Sequence, residues 1–448
     1  RLWNVTDPAD AKPLGSPLTG HTGLVWSVAF SPDGTMLAAG SADSTASLWN
    51  VRDPAYPSQI GEPLAGGSGE MYALGFSPDG RTLATGSGDS KVRLWSLPTS
   101  DMFGGRGTFR PDGKVLATAA SDGRMRLWDI RDAARPVLLG KPFMDAVNGD
   151  PSPAFSPDGR TLAVLTGQRS VTLWNVTDPV HPVSAGPDIR LKTRFMGPEA
   201  IAYSPDGRIL ATAYEDRTIR LWDISDPAHV KPFGKPLTGP GGFVDSLAFT
   251  PDGRALAAGS EEGAVRLWDV TAPADPKLLG KPLRGHQGPV NALAFTPDGH
   301  TLASGSDDDT VRLWNVTDPA DAKPLGSPLT GHSEAVVSLT FSRDGRTLAS
   351  GGNDNTVRLW NVADPSDAAP IGQSMSPNAR TGHFLAFSPV SNLLGVSSGS
   401  DTVRLLNLDV DAAIRHICST TRGVLTPKKW HEYLPRLSYD PPCGTGTG

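Results

Sequence analysis

The side chains of this 448-residue chain that could transfer protons, hold a metal or attack a carbonyl are nine histidines, two cysteines and a large set of carboxylates. Their spacing argues against most such chemistry. His431-Glu432 begins like a zinc-protease helix, but the second His of that motif is missing. The Gly-Lys-Pro triplets that start at 140, 234 and 280 are not part of a GxxxxGK run followed by Ser or Thr, so no phosphate-cradling loop is encoded. The aspartates of the Ser-Pro-Asp-Gly segments recur because a turn recurs, and a turn Asp is accounted for by its bonds to backbone N–H groups. Asn4, Asn175 and Asn315 each open an Asn-Val-Thr glycosylation triplet, but each belongs to a repeated WNVTDP turn. Cys418 and Cys443 are either two unrelated thiols or a disulfide that pins the chain's last segment. No catalytic constellation emerges, and nothing calls for a metal or cofactor.

Stepping along the chain, a different regularity stands out. Tryptophan returns at Trp3, Trp49, Trp95, Trp128, Trp174, Trp222, Trp268, Trp314 and Trp360, with Leu406 in the next place; every step is 46 residues except one of 33 and one of 48. Each Trp precedes Asn, Asp or, once, Ser. Residues 24–64 show what one period contains. LVWSVAF alternates as a strand (a), SPDG suits a type I turn, and MLAAGS is a second strand (b). Asp43 sits in the next tight turn, TASLWNV is strand c, and an Asp53-Pro54 turn leads to QIGEPL, strand d. Strand d carries Pro63, with counterparts at Pro17, Pro142, Pro236, Pro282 and Pro328. Proline cannot donate to a ladder on both sides, so d belongs at an outer edge. One such sheet cannot bury both faces alone, whereas stacked neighbours can.

A period in the forties that closes on Trp-Asp or Trp-Asn resembles the WD-repeat β-propeller family, over residues 1 to about 408. The resemblance implies an all-β fold of four-stranded blades. It also implies a tie within each blade: a His before strand a, a Ser or Thr in strand b, the turn Asp and the Trp. Two blades carry all four, His286–Ser304–Asp308–Trp314 and His332–Ser350–Asp354–Trp360. Elsewhere the set is partial. The blade of Trp49 has His21 and Asp43 but Ala39, that of Trp174 has Val164 and Gln168, and that of Leu406 has Val396 and Ser400 without a Trp. His383 falls too close to Phe387 for a tie and is expected inside strand a.

A second period lies above the first. Residues 1–21 recur unchanged at 312–332, an offset of 311 residues, or seven repeats, and the next blades keep that register. Two arrangements fit. In the better match, residues 1–97 are the last blades of a first ring and 105–408 form a complete seven-bladed ring; the rival is a local duplication inside one oversized ring. The short step after Trp95 favours two rings. Closure is the difficulty. Strand a before Phe109 reads GGRGTF, with almost no apolar face, and the linker 98–104 is barely long enough for a closing strand.

Residues 409–448 leave the pattern. Val410, Ala413, Ile414 and Ile417 have helical spacing, and Thr426-Pro427 is a good helix start, so helices are expected at about 410–420 and 427–434. This tail resembles that of bacterial, especially actinobacterial, WD-repeat proteins, whose propellers often follow a STAND-type signalling NTPase. The chain opens inside a repeat, without Met, and reads as part of a longer protein. No apolar run is long enough to span a bilayer. The expected compartment is the cytoplasm, or an extracytoplasmic one if a preceding span exists and the cysteines are bridged.

The net charge of −6 argues against nucleic acid as a partner and leaves proteins or peptides. Family geometry places partner contacts on the face where blades differ, at the residue four before the strand-a aromatic and the residue before the turn Asp. Those positions hold Trp26, Tyr72, Glu199, Glu215, Asp245, Glu261, Asn291, Asp307 and Asn353. The five carboxylates among them read either as a solvated rim or as a dock for a basic partner. The function expected is therefore a non-catalytic interaction scaffold or ligand-sensing propeller of a bacterial signalling protein. The alternative is a propeller enzyme with a site in the central channel, which the small apolar inner strands WSVAF, YALGF, DSLAF and NALAF disfavour.

Overall fold

The computed structural model describes residues 1–408 apart from 97–101, 104–105, 145–150, 167–169, 191–197, 376–383, 398–401 and some shorter stretches; the side chains of Pro198 and Glu199 are also outside the description. The expected tail helices, Cys418 and Cys443 lie outside the described residues, as do Gln168, His383 and Ser400.

The described strands form ten antiparallel sheets. Strand b is the most buried strand of the sheets that contain one. Ile209–Tyr214, Ala255–Ser260 and Thr301–Ser306 are buried along their whole length, because both faces meet a neighbouring blade. Small residues at alternate positions let the sheets approach, and the facing leucines and the Trp fill what remains. A Leu buried this way, such as Leu302, contributes roughly 1.5–3 kcal/mol.

Seven sheets form a closed propeller ring. Their inner strands are Arg106–Phe109, Ser152–Phe155, Pro198–Tyr203, Val244–Phe249, Val290–Phe295, Val336–Phe341 and Leu385–Phe387. Each contacts the next, and the last contacts the first. The seam is closed by the linker. Met102–Phe103 adds as outer strand to Thr402–Asn407, with Met102 opposite Val403 and Phe103 opposite Thr402. Two paired residues suffice because Met102 is fully buried in a cluster with Phe109, Trp128, Phe384 and Val403. The bare strand a before Phe109 is explained at the same place. A Cβ on Gly107 would lie 3.3 Å from the Phe384 ring, so the apolar surface that this strand lacks is supplied by the last blade.

The Gly-Lys-Pro triplets have a backbone role. In four blades three residues of strand d oppose one of strand c, and Gly140, Gly234, Gly280 and Gly326 sit in these bulges with positive φ. A Cβ at Gly280 would stand 2.3 Å from the carbonyl oxygen of Ala320, in the Asp-Pro turn of the next blade.

The other three sheets carry Trp3, Trp49 and Trp95. Among the described residues Leu2–Asn4 pairs with Lys12–Leu14; Val25–Phe30, Met36–Ser41 and Thr45–Asn50 lead a full blade; Met71–Phe76, Thr82–Ser87 and Val92–Ser96 make a third. Leu2 packs on Leu37 and Trp49, and the inner strands of the second and third sheets are in contact.

Candidate interaction face

The two complete ties are formed as hydrogen-bonded chains. His286 Nδ1 lies 2.9 Å from Asp308 Oδ2 and its Nε2 lies 2.8 Å from Ser304 Oγ, which also accepts from Trp314 Nε1 at 2.8 Å. His332, Asp354, Ser350 and Trp360 repeat this arrangement. Asp308 also accepts from the Gln287 N–H and the Thr310 hydroxyl. Burial alone would raise its carboxyl; the bonds from Thr310, Gln287 and His286 outweigh that and leave it lowered. Burial pushes the His286 imidazole down, against the upward pull of Asp308. In the partial blade of Trp49, His21 keeps Asp43 at 2.9 Å but turns its other nitrogen to the Ala39 carbonyl. In the blade of Trp174, where Val164 replaces the hydroxyl, Trp174 donates instead to Thr172 on its own strand.

One repeated residue was overlooked in the sequence. An Arg stands two positions before most of the tryptophans, as in VRLW. Where the His is missing, this Arg takes the turn acid. Arg126 Nη2 lies 2.7 Å from Asp122, and Arg220 Nη2 lies 2.7 Å from Asp216. Arg126 is almost wholly buried, so its pair with Asp122 replaces the His–Asp contact inside the blade. The signal was available: blades with Arg and a turn Asp but no Gly-His before strand a.

The candidate face is built by a recurrent irregularity. In six blades the pairing of strands a and b slips by one residue near the start of strand a. The residues left over are Trp26, Tyr72, Glu199, Asp245, Asn291 and Val337, which occupy the positions expected to meet a partner. A β-bulge leaves one residue unpaired and re-aims its side chain, here on the rim of the inner strands. The b–c turn is fastened beside it. The amides of Glu261, Asp307 and Asn353 donate to the carbonyls of Phe243, Pro289 and Ala335, two residues before the bulge residue of the same blade. The two candidate positions of each blade are thereby brought together.

The face is not uniform. On the first sheets Trp26 and Tyr72 are exposed and meet across the blade boundary, ring centroids 6.2 Å apart and tilted by 47°. On the ring the Asp245 side chain is exposed but has protein packed along one side, and that partial desolvation, followed by the charges of Glu261 and Asp307, pushes its carboxyl up. These three carboxylates come from two adjacent blades. Glu215 and the Glu199 side chain lie outside the described residues. Asn291 is engaged rather than free, since its amide donates to Asp307 Oδ1 at 2.8 Å and to the Val336 carbonyl of the next blade at 3.3 Å. Asn353 is exposed. Arg217 stacks over the Phe243 ring at 5.3 Å, and the Phe243 N–H lies 3.4 Å from Glu261 Oε2. Among the described residues no group of three or more His, Cys, Asp or Glu side chains has metal-binding geometry. No described helix is long and apolar enough to cross a membrane.

No curated protein matches the chain. The family described as WD domain, G-beta repeat matches it at residues 11–50, 61–96, 108–129, 197–223, 232–269, 277–315 and 322–361. The sheets of Trp174 and Leu406 fall outside these matches, and they are the ones whose ties depart furthest from the pattern. With seven matched repeats covering more than half of its length, and with four-stranded blades around a closed ring, the chain belongs to the WD-repeat family.

Proposed function

We propose that this chain is a non-catalytic interaction scaffold that captures a basic segment of a protein or peptide partner on the bulge face of its ring. WD repeats commonly mediate protein–protein interaction. The observation that carries the finer reading is the grouping of Asp245, Glu261 and Asp307. Asp245 is held at a bulge where its charge is disfavoured by its neighbours, and a Lys or Arg side chain placed there would relieve that cost. The neutral Asn353 would add hydrogen bonds at the edge, and Arg217 would confine the partner's positive charge to one side of the site. In this reading residues 1–97 are the closing blades of a first ring, 105–408 a second, partner-binding ring and 409–448 a tail. The whole is the sensing end of a bacterial signalling protein, a context supported by the resemblance of the tail.

The test is a titration with Lys/Arg-rich peptides, wild type beside Asp245→Lys/Glu261→Lys. Binding should weaken with salt, since exposed charges are screened beyond ~8–10 Å at ordinary ionic strength. The double reversal should slow association without unfolding the ring, its melting midpoint not falling below that of wild type. Equal binding of the two proteins at low salt would leave the carboxylates as a solvated rim.

A further inference from the structure

One boundary between blades of the ring departs from the others. Each inner strand ends on an aromatic: Phe109, Phe155, Phe249, Phe295, Phe341 and Phe387, but Tyr203 in the blade of Trp222. In four blades the strand-d residue opposite the central Leu of strand c is large, namely Leu139, Phe233, Leu279 and Leu325. Each packs in one cluster with the aromatic of the next blade, which is Phe155, Phe249, Phe295 and Phe341 in turn. In the blade of Trp174 that place is taken by Ala185, whose N–H donates to the Leu173 carbonyl at 2.8 Å, and the aromatic in its cluster is Tyr203. A Leu–Phe contact has become Ala–Tyr, which removes bulk from one side of the boundary and adds a hydroxyl to the other.

A cleft of about 660 Å³ opens there, with Leu173, Ala185, Tyr203 and Ile224 among its walls. A cleft of about 560 Å³ also lies between the blades of Trp268 and Trp314, but Leu279 stands in its wall and Phe295 does not. Stacked blades therefore leave such clefts by themselves, and the small Ala185 deepens this one until the next blade's aromatic is part of it. The Tyr203 hydroxyl oxygen is buried and has no hydrogen-bond partner among the described residues. Packing does not require it, because Phe serves in the other blades. An unbonded buried hydroxyl is a net cost to folding, and a group seated in the cleft can offset it. Burial, followed by the charge of Asp158, pushes this phenol up, so it stays protonated and has a proton to donate.

The rim of the cleft carries both signs of charge. Asp158 and Arg160 come from the a–b turn of one blade, Asp206 and Arg208 from that of the next, and all four are exposed. In each Asp, Oδ1 is committed to its own turn, accepting from Ser156 and Arg160 or from Ser204 and Arg208. A charged ligand gains from one member of each pair and loses to the other. A neutral ligand with several hydroxyls uses the acceptors and the donors together. We propose that this cleft binds a neutral polyhydroxyl ligand, a mono- or disaccharide, with one ligand oxygen accepting the Tyr203 proton and the sugar ring lying against Leu173, Ala185 and Ile224. The volume is that of a small-molecule site. Tyr203 lies at the opposite end of its strand from the bulge at Glu199, so the proposal does not depend on the function assigned to the bulge face.

The experiment follows glucose and maltose by saturation-transfer NMR with the full chain and titrates each, with sodium phosphate and spermidine as charged comparators. Amide exchange is read over residues 173–185 and 203–208. Saturable binding of at least one sugar is expected, with protection of both segments. Ala185→Leu should abolish it, because the cleft is then filled by the side chain that other blades carry. Tyr203→Phe should weaken it roughly three- to tenfold, the loss of one hydrogen bond. Both variants install residue types that the ring already uses at these places. Tyr203→Phe should not lower the melting midpoint of the free chain, since the hydroxyl has no partner to lose. The proposal is overturned if neither sugar binds, if sugar binding is unchanged in Ala185→Leu, or if phosphate or spermidine protects the same segments more tightly. A lower midpoint for Tyr203→Phe also overturns it, because the hydroxyl is then bonded within the folded chain.

Discussion

Replacing Asp308 with Ala tests whether the tie stabilises its blade or only accompanies it. Asp308 accepts four hydrogen bonds: from His286, from the Gln287 N–H, and from the N–H and hydroxyl of Thr310. They are not equivalent. The Gln287 contact lies at the surface, where water can replace the carboxylate at little cost. The His286 contact is inside, with only 1% of that side chain exposed. Leaving a buried donor without an acceptor costs about 1–3 kcal/mol, and loss of the turn bonds to Thr310 adds about 0.5–1 kcal/mol. The sum is near 2–3 kcal/mol. A domain of 150–250 residues shifts by roughly 2–4 °C per kcal/mol, so the larger ring should lose about 4 °C. The comparator must be chosen from the backbone. Asp309 has φ +63°, so Asp309→Ala would add left-handed strain of roughly 1–2 kcal/mol that has nothing to do with the tie. Asp309→Asn keeps a residue that tolerates this conformation and should stay within about 0.5 kcal/mol of wild type. Calorimetric midpoints of the two variants, with amide exchange over residues 304–314, provide the readout. Equal midpoints and equal exchange would refute the reasoning.

The remaining predictions follow from the same contacts. His286 and His332 are held neutral by burial, so the unfolded chain binds more protons below its ordinary pKa of about 6.5, and stability should fall as pH drops from 7 to 5. Calorimetry of His286→Gln/His332→Gln should show a flatter dependence in that window. The lowered carboxyls of Asp308 and Asp354 stabilise the ring at pH above the ordinary carboxyl range, and that stabilisation is lost as pH falls through their folded values. Asp245 has the opposite sign: its raised carboxyl costs stability once ionised, so Asp245→Asn should raise the midpoint at pH 7 while weakening capture of a basic peptide. Gly280→Ala should cost more than the roughly 1 kcal/mol of a left-handed Ala, because its Cβ meets a backbone carbonyl; a midpoint within one degree of wild type would contradict this. Arg126→Leu strands Asp122 inside the blade and should cost about 3–5 kcal/mol, whereas Arg126→Leu/Asp122→Asn should recover part of it in denaturant melts.

Much of the ring was legible because its signals repeat. Strand order, the outer position of strand d and the two complete ties each rest on a residue type that recurs at one phase, and one blade is evidence for the next. The seam was not legible, because it is unique. Phe384 filling the space beside Gly107, and Met102 buried by a two-residue strand, join the two ends of a 300-residue ring, and no period connects them. The candidate positions on the interaction face were found by analogy, but their cause was not: a bulge is a shift between two strands and has no signature in either strand alone. The Arg–Asp pairs were legible in principle. They were passed over because the Arg of VRLW recurs in blades that have the His as well as in those that lack it, and only the distances separate the two roles.

The conversion of repetition into physical information has a limit that the 311-residue register makes concrete. Identical sequence specifies identical strand pairing: Trp3 and Trp314 face the same proline in the same register. It does not specify burial, which belongs to the neighbour. The same reasoning separates the two parts of the interaction face. Trp26 stands at the bulge position whose counterpart in the ring is Val337, while His383, the sequence counterpart of Tyr72, lies outside the described residues. The scaffold is therefore shared while the presented chemistry is not. An aromatic pair on one copy and carboxylates on another are what a duplicated scaffold acquires when its core is held by ties and its bulges are free to vary. The proposed capture of a partner at the bulges predicts that substitutions there change binding without moving the core, whereas substitutions in the ties do the reverse.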